Sequence, residues 1–410
     1  MKIKTIDIAL VLIYLLAFQN PLEKYIVLFS YIDEIIGIMG PIYICVALIK
    51  NKSIRIKKSI IKKSLPLIVF VIMGLISNYV YQYQPVKLVL VDLYTNLKFY
   101  LAIISGVLIF SGIINNKKNQ RRMLVHFKII SLIIGISFLV DRIYPIFPVS
   151  EVRYGIRSAM LFFEHPTYLA GTLIFIIAGL TAFYERGVEK YIIGNLIVLC
   201  FTLRSKAIGA AIIYVMIWFV TMFLRKKIKW WHIAVIGGLG LILGWQQINY
   251  YYFSLEGKSA RSVLTITSLK IAKEYFPLGV GFASYASHVA GEFYSPVYVK
   301  YGFERIYELA RYNKNAFFDD TFWPIILGQT GVIGFIAYIF VLKNLIKDIL
   351  RLKKADKRIY TSAIFIMCYL LISSTSEPAF NNSIAVPLGF LLGIFFTIKK
   401  KRENGDKTIC

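Results

Sequence analysis

Apolar runs of about twenty residues recur along nearly the whole chain, and they constrain its fold more than any other feature. A helix that crosses the hydrocarbon of a bilayer needs roughly 20 apolar-dominated residues, fewer where aromatics or lysines anchor its ends. That rule predicts spans at residues 6–25, 33–49, 65–83, 88–113, 125–143, 166–184, 190–203, 207–224, 231–249, 321–343, 359–377 and 382–398. With 58% apolar residues, 17% charged residues and a mean hydropathy of +0.65, the chain belongs with polytopic all-α integral membrane proteins.

One interval breaks the pattern. Residues 250–320 are polar for far longer than an ordinary connection, and loops of that length are functional or disordered more often than merely connecting. The stretch LEGKSARSVLTITSLKIAKEYFPLGVGF is too rich in apolar and aromatic residues for disorder. The expected organisation is therefore nine spans in 1–249, a folded insert at 250–320, three spans in 321–398 and a basic tail at 399–410.

The formal net charge of +26 would suggest a polyanionic partner in a soluble protein. Here the basic residues sit in short clusters beside apolar runs, as membrane topology demands, so nucleic acid is set aside. KNKSIRIKKSIIKK, NNKKNQRR, RKKIK and LRLKKADKR all fall on one side of the alternation, which holds most of the 48 Lys and Arg residues. The expected topology has both termini in the cytoplasm and the insert outside a bacterial cytoplasmic membrane. The N-terminal MKIKTIDIALVLIYLLAF lacks a small-residue cleavage pattern and is read as a retained first helix. Cys45, Cys200, Cys368 and Cys410 have neither metal-ligand nor disulfide-framework spacing.

Candidate site residues cluster at the outer ends of the spans. Arg153 and Arg157 in SEVRYGIRS would share a face if that piece were helical, and paired guanidiniums suit a phosphate or diphosphate. His165 precedes Pro166 at the start of a span, where it can cap the helix or serve the site. Arg204 and Lys206 lie in a short outer turn that the charge rule disfavours, followed by the small residues Ala207, Gly209, Ala210 and Ala211. In the insert, Arg261 falls on an amphipathic helix expected to lie along the membrane surface, while His288 and Glu292 follow the PLGVGF turn. Asp319 and Asp320 enter the tenth span, where one is expected to cap it, and Glu377 stands at the outer end of the eleventh. Asp92 and Lys98 form the one modest intramembrane pair.

The order of RSAMLFFEHPTYLAG, LRSKAIGA, YFPLGVGFASYASH and FFDDTFWPIILGQTGVIG across about 150–340 resembles the bacterial O-antigen polymerase and O-antigen ligase family. The resemblance implies a GT-C-like membrane glycosyltransferase acting on undecaprenyl-diphosphate-linked glycans at the outer face of the cytoplasmic membrane. Its polymerases use a lipid-linked repeat unit as acceptor and its ligases lipid A core. The Lys-, Tyr- and Ile-rich composition looks like that of an AT-rich, Gram-positive bacterium without lipid A, which favours a capsular or exopolysaccharide polymerase. A ligase-like transfer to another acceptor is the alternative. A flippase and a chain-length regulator are the expected protein partners.

In such a reaction the diphosphate leaves as the acceptor hydroxyl arrives, and fixed cations contribute most when aimed at the leaving group. Arg157, Arg204 and Arg261 are the expected cations, supported by Arg153 and Lys206. His288 is the expected base, because neutral imidazole is available at physiological pH. Glu292, Asp319, Asp320 and Glu377 would bind sugar hydroxyls or orient the histidine. No DxD motif is present, so neither metal nor other cofactor is expected. A lipid-linked oligosaccharide flippase would instead carry its charges along a central cavity, and an ion-coupled transporter would show intramembrane ionisable or broken-helix sites.

Overall fold

The computed structural model describes residues 5–49, 58–153, 155–224, 238, 249, 259–313 and 316–398. Apart from residues 238 and 249, the expected ninth span lies outside the described residues. So do residues 250–258 of the insert, the basic connection 225–229 and the tail 399–410.

Every other expected span coincides with helix. The first half contains α1 (Thr5–Ala17), α2 (Gln19–Glu23), α3 (Ile32–Ile49), α4 (Lys58–Tyr81), α5 (Val86–Ile109) and α6 (Lys117–Ile143). After a two-stranded ribbon, β1 (Val152–Arg153) and β2 (Ile156–Arg157), come α7 (Pro166–Ala182), α8 (Glu189–Phe201) and α9 (Ser205–Trp218). The insert contributes α10 (Ala260–Glu274), α11 (His288–Glu292) and α12 (Pro296–Lys300), and α13 (Trp323–Leu352), α14 (Lys357–Ser373) and α15 (Ala385–Phe396) follow. Among the described residues, six helical stretches are long and apolar enough to cross a membrane, whereas α1, α7 and α15 are apolar but shorter. The molecule is an all-α membrane protein in its described part.

Several basic connections are helical where loops were expected. α4 begins at Lys58, α6 at Lys117, and α13 continues to Leu352. Lysine and arginine are good helix formers whose long stems reach back along the apolar surface, so a helix need not stop where the hydrocarbon does. The Asn116 side chain starts α6 by accepting the Lys118 amide at 2.8 Å.

The buried centre of the bundle is α7 and α15, whose residues are almost all inaccessible. Glycines allow α15 to lie directly on α5: a Cβ on Gly106 would stand 2.7 Å from the Phe390 carbonyl, and one on Gly389 2.7 Å from that of Phe99. Twelve helical residues rise only about 18 Å, well short of a hydrocarbon thickness of about 30 Å. One end of α15 stays near the rim away from the insert, where the Thr397 carbonyl accepts from Asn115. The other end therefore stops inside the bundle. The non-helical segment before it sits at the same depth, and Asn381 donates to Asn96 within α5 at 3.0 Å.

The insert does not simply rest on top. Residues 279–287, from the PLGVGF turn onward, are all buried and enter the bundle between α4, α5 and α13. Their backbone is satisfied group by group. Val280 and Gly281 donate to the carbonyls of Gly328 and Gln329 at 2.9 Å each, Phe282 donates to Asn78 Oδ1 at 2.8 Å, and Ala283 donates to Asp92 Oδ2 at 2.6 Å. Irregular backbone survives at such depth only when protein supplies these partners. The carbonyls of Gly328 and Gln329 are available because α13 is broken at Gly331, with φ 66° and ψ −168°. That left-handed geometry suits glycine, and any Cβ there would run into the backbone of Leu278. Helix α10 packs against α13, and its Leu264 and Ile271 join the insert's own buried cluster with Tyr275, Tyr285, Tyr298 and Ile325.

Candidate functional site

Near the sunken end of α15, charged side chains from separate segments meet beneath the insert. Leu203, in left-handed conformation at φ 54°, turns the chain between α8 and α9 and sends Arg204 and Lys206 to the same place. Arg204 Nη2 lies 2.7 Å from Glu151 Oε1 and 2.6 Å from His165 Nε2. Glu151 also accepts from Arg153 Nε at 2.8 Å, and Arg153 reaches the Leu203 carbonyl at 3.3 Å. Lys206 Nζ meets Glu377 Oε2 at 2.6 Å, and Arg261 Nη2 meets Asp320 Oδ2 at 3.1 Å.

These pairs lie close enough for their charges to act on one another. His165 is held below its ordinary pKa by burial first and by the Arg204 and Lys206 cations next, with Glu151 and Glu377 opposing. Burial raises the Asp320 carboxyl and the charge of Asp319 adds to that, while Arg261 and Lys206 pull it down. The charges of Asp319 and Glu377 both reach Tyr168, in the first turn of α7. Arg204, Lys206, Arg261, His165, Glu377, Asp319 and Asp320 thus belong to one electrostatic unit.

His165 faces two donors there. Its Nδ1 lies 3.2 Å from the Thr167 amide at the start of α7, while Nε2 lies 2.6 Å from Arg204 Nη2. A neutral imidazole has one acceptor nitrogen, so both contacts cannot be full hydrogen bonds. The shorter one to the guanidinium claims the acceptor, because the donor is charged.

The insert adds an open cavity of about 570 Å³ lined by His288, Glu292, Phe293, Tyr294, Arg311 and Asp319. His288 Nδ1 is 3.7 Å from Asp319 Oδ2, and its side chain is 77% exposed. Aromatic faces beside carboxylates and an arginine can hold a sugar through ring contacts and hydroxyl hydrogen bonds. Asp319 therefore belongs to both the cavity and the charged cluster.

Several expectations need correction. Neither Asp319 nor Asp320 caps the tenth span: the N-cap of α13 is Phe322, which makes no side-chain cap bond, and the carboxylates turn to His288 and Arg261. Arg153 and Arg157 do not share a helical face. They lie in a ribbon where Val152 pairs Arg157 and Arg153 pairs Ile156, so the two arginines project from opposite faces. Arg157 donates to the Phe147 carbonyl at 3.3 Å, and its own carbonyl accepts from Arg142 at 2.9 Å. No described contact joins Arg157 to Arg204. Asp92 and Lys98 do not pair either, since six residues on a helix point about 120° apart. Lys98 binds Asp33 at 3.1 Å, with Gln19 on the other carboxylate oxygen at 2.8 Å, while Asp92 holds Ala283 and Gln329.

Glu151, Tyr168 and Arg311 are parts of the arrangement that sequence reasoning missed. So is the group at the mouth of α7, where Asn20 donates to Glu23 at 2.8 Å and to Glu164 at 3.2 Å. The only local signal was the position of Glu151, Glu164 and Tyr168 in the loop and helix start already singled out for Arg153 and His165.

No protein-family model and no curated protein matches this chain.

Proposed function

We propose that this protein is a metal-independent, GT-C-like membrane glycosyltransferase of twelve spans. In this reading it transfers a glycan from undecaprenyl diphosphate to a sugar hydroxyl of a lipid-linked repeat unit, as a polysaccharide polymerase does. The observation that carries the reading is the gathering of Arg204, Lys206 and Arg261 in one half-buried charged cluster, each on a carboxylate partner. A diphosphate can take over these cations as Glu151, Glu377 and Asp320 give them up. The adjoining cavity has the size and chemistry for a sugar acceptor, with His288 at its edge next to Asp319.

In this mechanism the acceptor oxygen attacks the anomeric carbon, and the bond from that carbon to the diphosphate oxygen breaks. The bonding electron pair leaves on the diphosphate, where Arg204, Lys206 and Arg261 stabilise the growing charge. His288 Nε2 receives the hydroxyl proton, and Asp319 steadies the resulting imidazolium. The short α15 supports the reading further, because charged groups set below the rim let a membrane-bound donor present its diphosphate without leaving the lipid.

Orientation follows from the charges. Lys63, Lys117, Lys118, Arg121, Arg122 and Arg351 gather at the end of the bundle away from the insert, supporting a cytoplasmic location for that end and an outer location for the charged cluster. The deciding experiment gives purified protein one defined undecaprenyl-diphosphate repeat. A ladder of polymer is expected, and unchanged monomer would remove the proposal.

A further inference from the structure

We propose that the end of the bundle opposite the insert binds an anionic phospholipid where α1, the 111–116 turn and the start of α6 meet. Two cavities adjoin there and share Lys118 and Arg122 in their walls. One, of about 420 Å³, is lined by Thr5, Gly112, Asn116 and Asn119 besides those two cations. The other, of about 460 Å³, adds Lys117, Arg121 and Val125.

The charge count favours an anion. Arg122 is paired with Asp7 at 2.7 Å and Arg121 with Glu185 at 3.0 Å. Among the described residues no ion pair engages Lys117 or Lys118, so four cations face two carboxylates and the site remains positive. Ordinary surface basicity would need no enclosure. Here α1, the 111–116 turn and α6 together wall the smaller space, where amide and hydroxyl side chains stand beside Lys118 and Arg122 as they would for a phosphate and its glycerol, and the larger space continues from it along α6.

The neighbouring surface identifies the anion as a lipid. Below the cations, α6 exposes Val125, Ile129, Leu132, Ile136 and Leu139. Spacings of three and four put them on one helical stripe that begins one to two turns after Lys118 and Arg121. A phosphate held by the cations would thus lie directly over an acyl chain running along that stripe. The proposal is independent of glycan transfer and concerns the other side of the molecule.

The test is thermal unfolding of the purified full chain in a mild detergent with added phosphatidylglycerol, phosphatidylcholine or inorganic phosphate. Phosphatidylglycerol alone should raise the unfolding midpoint as its concentration increases. In the Lys117→Gln/Lys118→Gln variant its apparent affinity should fall about fivefold for each lysine. Equal stabilisation by phosphatidylcholine, an equal effect of free phosphate, or unchanged affinity in the variant would each overturn the proposal. Should the variant not fold, the wild-type chain still decides: the advantage of phosphatidylglycerol should collapse between about 0.1 M and about 1 M salt, and persistence would refute an electrostatic headgroup site.

Discussion

Arg204 holds His165 from the side that a proton would have to approach. With Nη2 of the arginine 2.6 Å from Nε2 of the histidine, an imidazolium would face a guanidinium at contact distance. The neutral ring is therefore part of the resting site.

This relationship predicts a pH response. The depressed His165 pKa means that the neutral form, complete above the ordinary value of 6.5, is lost as pH falls through the lowered value. Glycan transfer should show an acid limb below pH 6.5. Removing the cation with Arg204→Gln should move the limb toward higher pH. A pH–rate profile of both proteins checks this, and an unmoved limb would separate the pair from activity.

Two of the three arginines expected to serve the leaving group should behave differently. Arg261→Ala is expected to cost about 10²- to 10³-fold in polymerisation rate, the effect of deleting one donor aimed at a developing charge. Arg157→Ala should cost less than about tenfold, since its guanidinium serves the Phe147 carbonyl. Rates with a defined lipid-linked repeat distinguish them.

Lys206 and Glu377 form a partly buried pair, with side chains 26% and 13% exposed. Breaking it with Lys206→Met or Glu377→Gln should destabilise the fold by about 1–2 kcal/mol, less than a fully buried pair would lose. The double variant should recover part of that loss. Thermal melts of the three variants measure the coupling.

Asp92 is fully buried and bonds both the Ala283 amide and Gln329. Asp92→Ala would strand those donors at a cost of about 2–3 kcal/mol. Hydrogen exchange should then rise at residues 279–287 while α7 and α15 stay protected. Equal loosening everywhere would argue against a local clasp.

Gly331→Ala should be among the most damaging single-methyl changes in the chain. Backbone strain alone costs about 1–3 kcal/mol, and the new Cβ meets the Leu278 backbone, which cannot turn aside. The folded fraction recovered from membranes is the measurement.

Much of the architecture was legible in local pattern. Continuous apolar runs mark α3, α5 and α13 because a span must be apolar along its own length, and a cation in a turn between two runs, as at Arg204, stands out against it. What could not be read was pairing across the chain. Lys206 meets a carboxylate 171 positions away, and Lys98 passes over Asp92 on its own helix to reach Asp33. The likeness of SEVRYGIRS to a helical arginine pair failed for a related reason: Gly155 at φ 72° folds it into a ribbon, and that preference competes evenly with helix over so few residues. The entry of 279–287 into the bundle was hidden too, because its acceptors lie far off in sequence, on Asn78 of α4, Asp92 of α5 and the backbone of α13.

That last arrangement imposes an order on biosynthesis. While the chain emerges from the ribosome, the amides of Val280 and Gly281 have no acceptor until Gln329 has been made, threaded and bent at Gly331. The segment must stay half-built until α13, which follows it in the chain, has been made. Nascent chains halted before that point should stay open to proteases, and only those that pass it can close.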